Sequence, residues 1–85
     1  MRHAKPEDLD GLEPLLVRVR ELDGLVERSR GVFYRRSRAF LHFHHDPTGM
    51  HADVRLGAAF ERFRVEERFE QDELVEAIRR AIEGA

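Results

Sequence analysis

Apolar residues recur along this chain at two spacings, and the change from one to the other divides it into elements. Between Pro6 and Leu22, the residues Leu9, Leu12, Leu16 and Val19 fall three or four apart, with Leu15 and Leu22 beside them. That is the period of an amphipathic helix. Pro6 suits a first helical position and Glu7 and Asp8 make an acidic first turn. Pro14 lacks the N–H that would bond back along the helix. The helix is therefore either kinked at Pro14 or begins at Asp10, which with Glu13 has the capping-box spacing. Asp23-Gly24 ends it. A short extended piece follows at Leu25 to Glu27, then a strand at Val32 to Arg36 with Val32 and Tyr34 directed inward. A tight turn around Arg36-Ser37-Arg38 leads into the next strand.

The stretch from Ala39 to Leu56 reads as a β-hairpin around Asp46-Pro47-Thr48-Gly49. There Pro47 presets φ, Asp46 can bond its own backbone and Gly49 takes a left-handed conformation. Met50, Ala52, Val54 and Leu56 alternate with His51, Asp53 and Arg55, which defines a core face. Two loop lengths are compatible with the turn. Only the one pairing His45 with Met50 keeps His42 and His44 out of the apolar layer. A slip of one residue would reverse every side chain. In that register Phe43 faces Ala52 and Leu41 faces Val54 on the core side, while Phe40 and Arg55, His42 and Asp53, and His44 and His51 share the other face. Phe60 to Val65 is predicted as a further strand with Phe63 and Val65 inward. Asp72 to Glu83 is predicted as a second helix with the apolar stripe Leu74, Val75, Ile78 and Ile82, ended by Gly84.

Helices at the two ends of an antiparallel sheet specify an α+β two-layer sandwich, α-β-β-β-(β)-α, with both helices on one face. Its 85 residues correspond to a single domain over 1–85. Charged residues make up 38% of the chain but the net charge is only −2, which excludes a disordered polyion and a generally basic nucleic-acid binder. The absence of cysteine excludes disulfide stapling, thiol catalysis and cysteine-ligated zinc. No secretory leader is visible at the N-terminus and no apolar run reaches membrane-spanning length, so the expectation is a cytoplasmic protein.

The chemistry concentrates in two places. His42, His44, His51 and Asp53 form a square on the non-core face, with cross-strand Cβ atoms about 5 Å apart. Three imidazoles and a carboxylate suit zinc, or nickel or iron. The same residues also read as the polar side of an exposed strand, with His42 and Asp53 a hydrogen-bonded surface pair. Residues 28–38 carry Arg28, Arg30, Arg35, Arg36 and Arg38 and no acid, interleaved with Phe33 and Tyr34. That composition can grip phosphates or nucleic acid, or it can pair with helix acids or guard a strand edge.

The pattern Leu25-Val26-Glu27, Gly31-Val32-Phe33-Tyr34 and a His42-Phe43-His44 strand answered by Ala52-Asp53 resembles small bacterial α+β domains of the "luciferase domain" type. More distantly, it resembles MmcQ/YjbR-like proteins. The resemblance spans about residues 12–83, with Phe63-Arg64-Val65 in place of the Gly-Trp-Val strand of that family. It does not imply light emission, and for the MmcQ/YjbR-like proteins it raises a DNA-binding role. Two functions stay open from the sequence. One is a small module that binds a ligand or protein partner through Phe40, His42, His44, His51, Asp53 and Arg55, as a homodimer if Phe40 needs cover. The other is a metal-dependent enzyme centred on His42, His44, His51 and Asp53. Anion or nucleic-acid binding along Arg28 to Arg38 is a third reading.

Overall fold

A computed structural model describes residues 2–84. In chain order it comprises strand β1 (Arg2–His3), helices α1 (Pro6–Gly11) and α2 (Glu13–Arg20), strands β2 (Val26–Ser29), β3 (Val32–Arg35), β4 (Arg38–Asp46), β5 (Gly49–Arg55) and β6 (Phe60–Arg64), and helix α3 (Arg68–Glu83). The strands pair antiparallel in the order β2-β3-β4-β5-β6, and the two-residue β1 also pairs with β4. The fold is α+β. Because β5 occupies one side of β4, β1 and β3 share the other, β3 along Arg38 to Leu41 and β1 at His44 and His45.

Pro14 divides the first helical stretch in two. Helix α1 ends at Gly11, Leu12 leaves the helical conformation at φ −103° and ψ 4°, and Pro14 falls in the first turn of α2, where a missing N–H leaves no bond unmade. Helix α3 begins four residues before the predicted Asp72. The Glu70 carboxylate accepts from the N–H groups of Glu66 at 3.1 Å and Glu67 at 2.8 Å, so Glu67 caps the helix without a short polar side chain.

The β4–β5 hairpin has the predicted register, with Leu41 opposite Val54, His42 opposite Asp53, Phe43 opposite Ala52, His44 opposite His51 and His45 opposite Met50. Its turn is built as its residues require. Asp46 Oδ1 accepts from the Thr48 N–H at 2.8 Å and hydroxyl at 2.6 Å, and Gly49 takes φ +121°.

Strand β3 differs from expectation. Phe33 pairs with Leu41 but Tyr34 pairs with Ala39, so Phe40 is an extra residue in β4, a β-bulge. The bulge shifts β3 by one position. Phe33, 1% exposed, enters the core in place of Val32 and Tyr34, and the Arg28 guanidinium lies 4.0 Å over the Tyr34 ring. Phe40 itself, expected on the histidine face, is 3% exposed and belongs to the core cluster. With Phe40 buried, the reason for a covering homodimer is gone.

That cluster joins Leu9 of α1, Leu12 between the helices, Leu15, Leu16 and Val19 of α2, and Leu74 and Ile78 of α3 to Phe33, Leu41, Phe43, Ala52, Val54 and Val65. Burying each large apolar side chain contributes about 1.5–3 kcal/mol. Gly31 sits in the β2–β3 turn at φ +78°, and a Cβ there would lie 2.9 Å from Leu9 Cδ2. No helix is long and apolar enough to cross a membrane among the described residues.

Candidate metal centre on the sheet face

Alternation along β4 and β5 puts His42, His44, His51 and Asp53 on the face opposite Phe43, Ala52 and Val54. The register then lays two rows across the sheet. One runs His3, His44, His51, Arg64, and the other runs His42, Asp53, Arg62.

Three of these side chains converge. One ligand atom from each of His42, His44 and Asp53 lies within 4.8 Å of the others. His44 Nε2 is 2.9 Å from Asp53 Oδ2, the distance of a charge-assisted hydrogen bond in which the ring N–H donates. Arg62 holds the same carboxylate in a fork, donating from Nε to Oδ1 at 2.8 Å and from Nη2 to Oδ2 at 3.0 Å. Asp53 is only 8% exposed. Its burial alone would raise its pKa, yet the bonds from Arg62 and the charge of that guanidinium hold it below the ordinary carboxylate value. The His42 ring meets His44 edge-on at 4.7 Å between centroids and Phe60 at 5.1 Å. Burial first, and then its imidazole neighbours, hold its pKa below the usual histidine value despite the attraction of Asp53. A ring held neutral in this way is in the form that ligates metals.

His51, expected as the fourth corner, belongs elsewhere. Its ring turns toward the hairpin turn, with Nδ1 3.1 Å from the Gly49 carbonyl oxygen and 3.7 Å from Asp46 Oδ2, and Nε2 3.4 Å from Thr48 Oγ1. Strand alternation fixes the face of a Cβ but not the rotamer beyond it. The place beside His44 is taken by His3, whose ring centroid lies 4.9 Å from that of His44 and 6.3 Å from that of His42. No family model, curated protein or solved structure matches this chain.

Two residues of the cluster escaped the sequence reading. His3 lies on a strand of two residues, too short to show alternation. Arg62 was legible in principle, since directing Phe63 and Val65 inward puts Arg62 and Arg64 on the opposite face. The remaining expected residues disperse. Phe40 is in the core, and Arg55 lies over the Phe60 ring at 4.4 Å while donating to the Ala39 carbonyl at 3.2 Å. Of the arginine stretch, Arg30 is consumed by Asp10 at 2.7 Å and Glu13 at 2.8 Å, and Arg28 covers Tyr34. Arg35, Arg36 and Arg38 gather at the β3–β4 turn.

Proposed function

We propose that this protein is a small binding module for a divalent transition-metal ion, held by His42, His44 and Asp53 with His3 as a fourth donor at the rim. The observation that carries this reading is the convergence of two imidazoles and a carboxylate within 4.8 Å. A tetrahedral zinc ion with bonds of about 2.0–2.1 Å sets its ligand atoms roughly 3.3 Å apart. The His44–Asp53 contact of 2.9 Å has to open by only a few tenths of an ångström, and His42 closes from the other side. In chemical terms the ion replaces the proton shared by His44 Nε2 and Asp53 Oδ2. Arg62 then serves as outer support: its Nη2 bond to Oδ2 is given up as that oxygen turns to the ion, and its Nε bond to Oδ1 keeps the carboxylate ionised and oriented. The absence of cysteine leaves nitrogen and oxygen as the strong donors, which suits zinc, nickel or iron, and it supports a cytoplasmic setting.

Metal-dependent catalysis is the second reading. It is favoured by the converging set of three, His42, His44 and Asp53, because without His3 bound the three ligands leave a coordination position open for water or substrate. A stoichiometric metal that admits an exogenous ligand would support the enzyme, and a closed, inert site would support the module.

The test is a zinc titration of metal-stripped protein followed by residue-resolved amide NMR. The expected result is one-to-one, sub-micromolar binding that perturbs His42, His44 and Asp53 together and is lost in His44→Ala. Weak, diffuse shifts, or binding that survives His44→Ala, would overturn the assignment. His3→Ala should weaken binding without abolishing it, and His51→Ala should leave it unchanged.

A further inference from the structure

The structure holds a second concentration of unused chemistry where β3 turns into the start of β4. Arg35 and Arg38 are direct cross-strand partners that close the β3–β4 hairpin, and Arg36 occupies its turn. Arg55 reaches the same place from β5. Together they line a cleft of about 160 Å³ against Phe40. The Arg55 guanidinium is fixed there by donation to the carbonyls of Ala39 at 3.2 Å and Ala58 at 3.5 Å and by the Phe60 ring beneath it. The Arg35 guanidinium lies 5.9 Å from the centre of the Phe40 ring.

Among the described residues these arginines lack acidic partners, as Arg28 does, but Arg28 lies over the Tyr34 ring whereas these four share one cleft. Arg18, Arg20, Arg30, Arg62, Arg64, Arg68, Arg79 and Arg80 each form an ion pair with Asp or Glu. Among the described residues, Arg35, Arg36, Arg38 and Arg55 form none, and no carboxylate lines the cleft. Like charges placed directly opposite each other on paired strands are destabilising. A chain with 17 acidic residues and net charge −2 has ample means of neutralising them and does not. Defence of a sheet edge does not explain the cluster either. The edge strands of the sheet are β2 and β6, whereas these arginines sit at the turn-end of β3 and β4 and on β5, where Arg35 and Arg38 pair with each other.

We infer that this cleft binds the phosphate group of a small phosphorylated molecule. Guanidinium forks match phosphate oxygens in bidentate geometry, and an anion carrying at least two charges would neutralise the opposed Arg35–Arg38 pair by bridging it. Nucleic acid fits less well, because base stacking needs an open aromatic face. Phe40 is 3% exposed, Tyr34 lies beneath Arg28, and Phe60, although 38% exposed, has the Arg55 guanidinium over its ring and His42 against its edge. The cleft shares no residue with the histidine site, although the Phe60 ring lies between them, 4.4 Å from the Arg55 guanidinium and 5.1 Å from the His42 ring.

The experiment is a titration of the full chain at low ionic strength with pyrophosphate, inorganic phosphate and a short single-stranded oligonucleotide, each followed by amide NMR. Pyrophosphate and phosphate should bind one-to-one, with shifts confined to residues 35–39 and 55–57, and R38Q should weaken pyrophosphate about tenfold or more. The unliganded R38Q protein should also melt at a higher temperature, since one of the opposed charges is gone. R36Q, in the exposed turn, supplies the same test should R38Q disturb the hairpin, and R68Q, in an ion pair on α3, should leave affinity unchanged. Non-saturating shifts spread over every arginine, or equal affinity in R38Q, R36Q and the parent protein, would overturn the inference. So would binding of the oligonucleotide without binding of pyrophosphate.

Discussion

The two-residue turn between β3 and β4 offers a direct measurement of stored backbone strain. Arg36 and Ser37 adopt φ +53° and +66°, so both central residues of the hairpin are left-handed, as a type I′ turn requires. That turn is ordinarily made by Asn-Gly. For an L-residue the left-handed region costs about 1–2 kcal/mol, and replacing Ser37 by Gly removes this cost at one position. Against it stands the greater freedom of glycine in the unfolded chain, about 0.5–1 kcal/mol. Ser37→Gly should therefore stabilise the fold by about 0.5–1 kcal/mol. At about 4–8 °C per kcal/mol for a domain near this size, the midpoint of thermal unfolding should rise by roughly 2–8 °C. Equilibrium unfolding in guanidinium should show a higher midpoint with the same slope, since the surface exposed on unfolding does not change. All four guanidinium groups of the cleft remain, so pyrophosphate binding should persist. A loss of stability, or a gain that comes entirely from an altered slope, would refute the strain assignment.

Other consequences follow from single contacts. Gly31→Ala should cost about 2 kcal/mol or more in the same unfolding assay, since it combines a left-handed φ with an approach of 2.9 Å to Leu9. Phe33→Ala should cost about 3–5 kcal/mol and Tyr34→Ala much less, and comparable losses would contradict the bulge. Glu27 is held below the ordinary carboxyl pKa chiefly by its bond to Arg20, and Glu70 by the backbone N–H of Glu67. Their contribution to stability is complete above the unfolded carboxylate range near pH 4 and is lost as pH falls through their lower folded values. Unfolding curves should weaken steadily on acidification below about pH 5, and a gain of stability there would contradict the pairing. Zinc affinity should fall as pH drops toward the lowered pKa of His42, because protons then compete for that ring, and isothermal titration across pH 5–8 measures it.

Much of this architecture was legible in residue patterns. The β4–β5 register followed from a single constraint, that two histidines not be stranded among Met50, Ala52 and Val54, and the turn residues around Pro47 agreed with it. The early start of α3 was hidden because Glu67 and Glu70 cap it, and neither is a usual N-cap residue. The bulge was hidden for a deeper reason. Alternation along Ala39-Phe40-Leu41 looks regular, and only the partner strand reveals that two residues face one. At the candidate metal centre, His42, His44 and Asp53 were named from their alternation. The departure of His51 was not visible, because its direction is set by acceptors at the turn, Gly49 O and Asp46, that depend on three-dimensional placement.

The bulge at Phe40 also changes how the molecule can tolerate sequence change. Strand β4 keeps one register with β5 and, past Phe40, a separate one with β3. Lengthening or shortening the β3–β4 turn would move the arginines without shifting His42 or His44 by a residue. Remodelling the Pro47 turn would leave Arg35 opposite Arg38. One strand thus carries the histidine cluster and the arginine cleft in alignments that vary independently, and Phe40 is the joint between them.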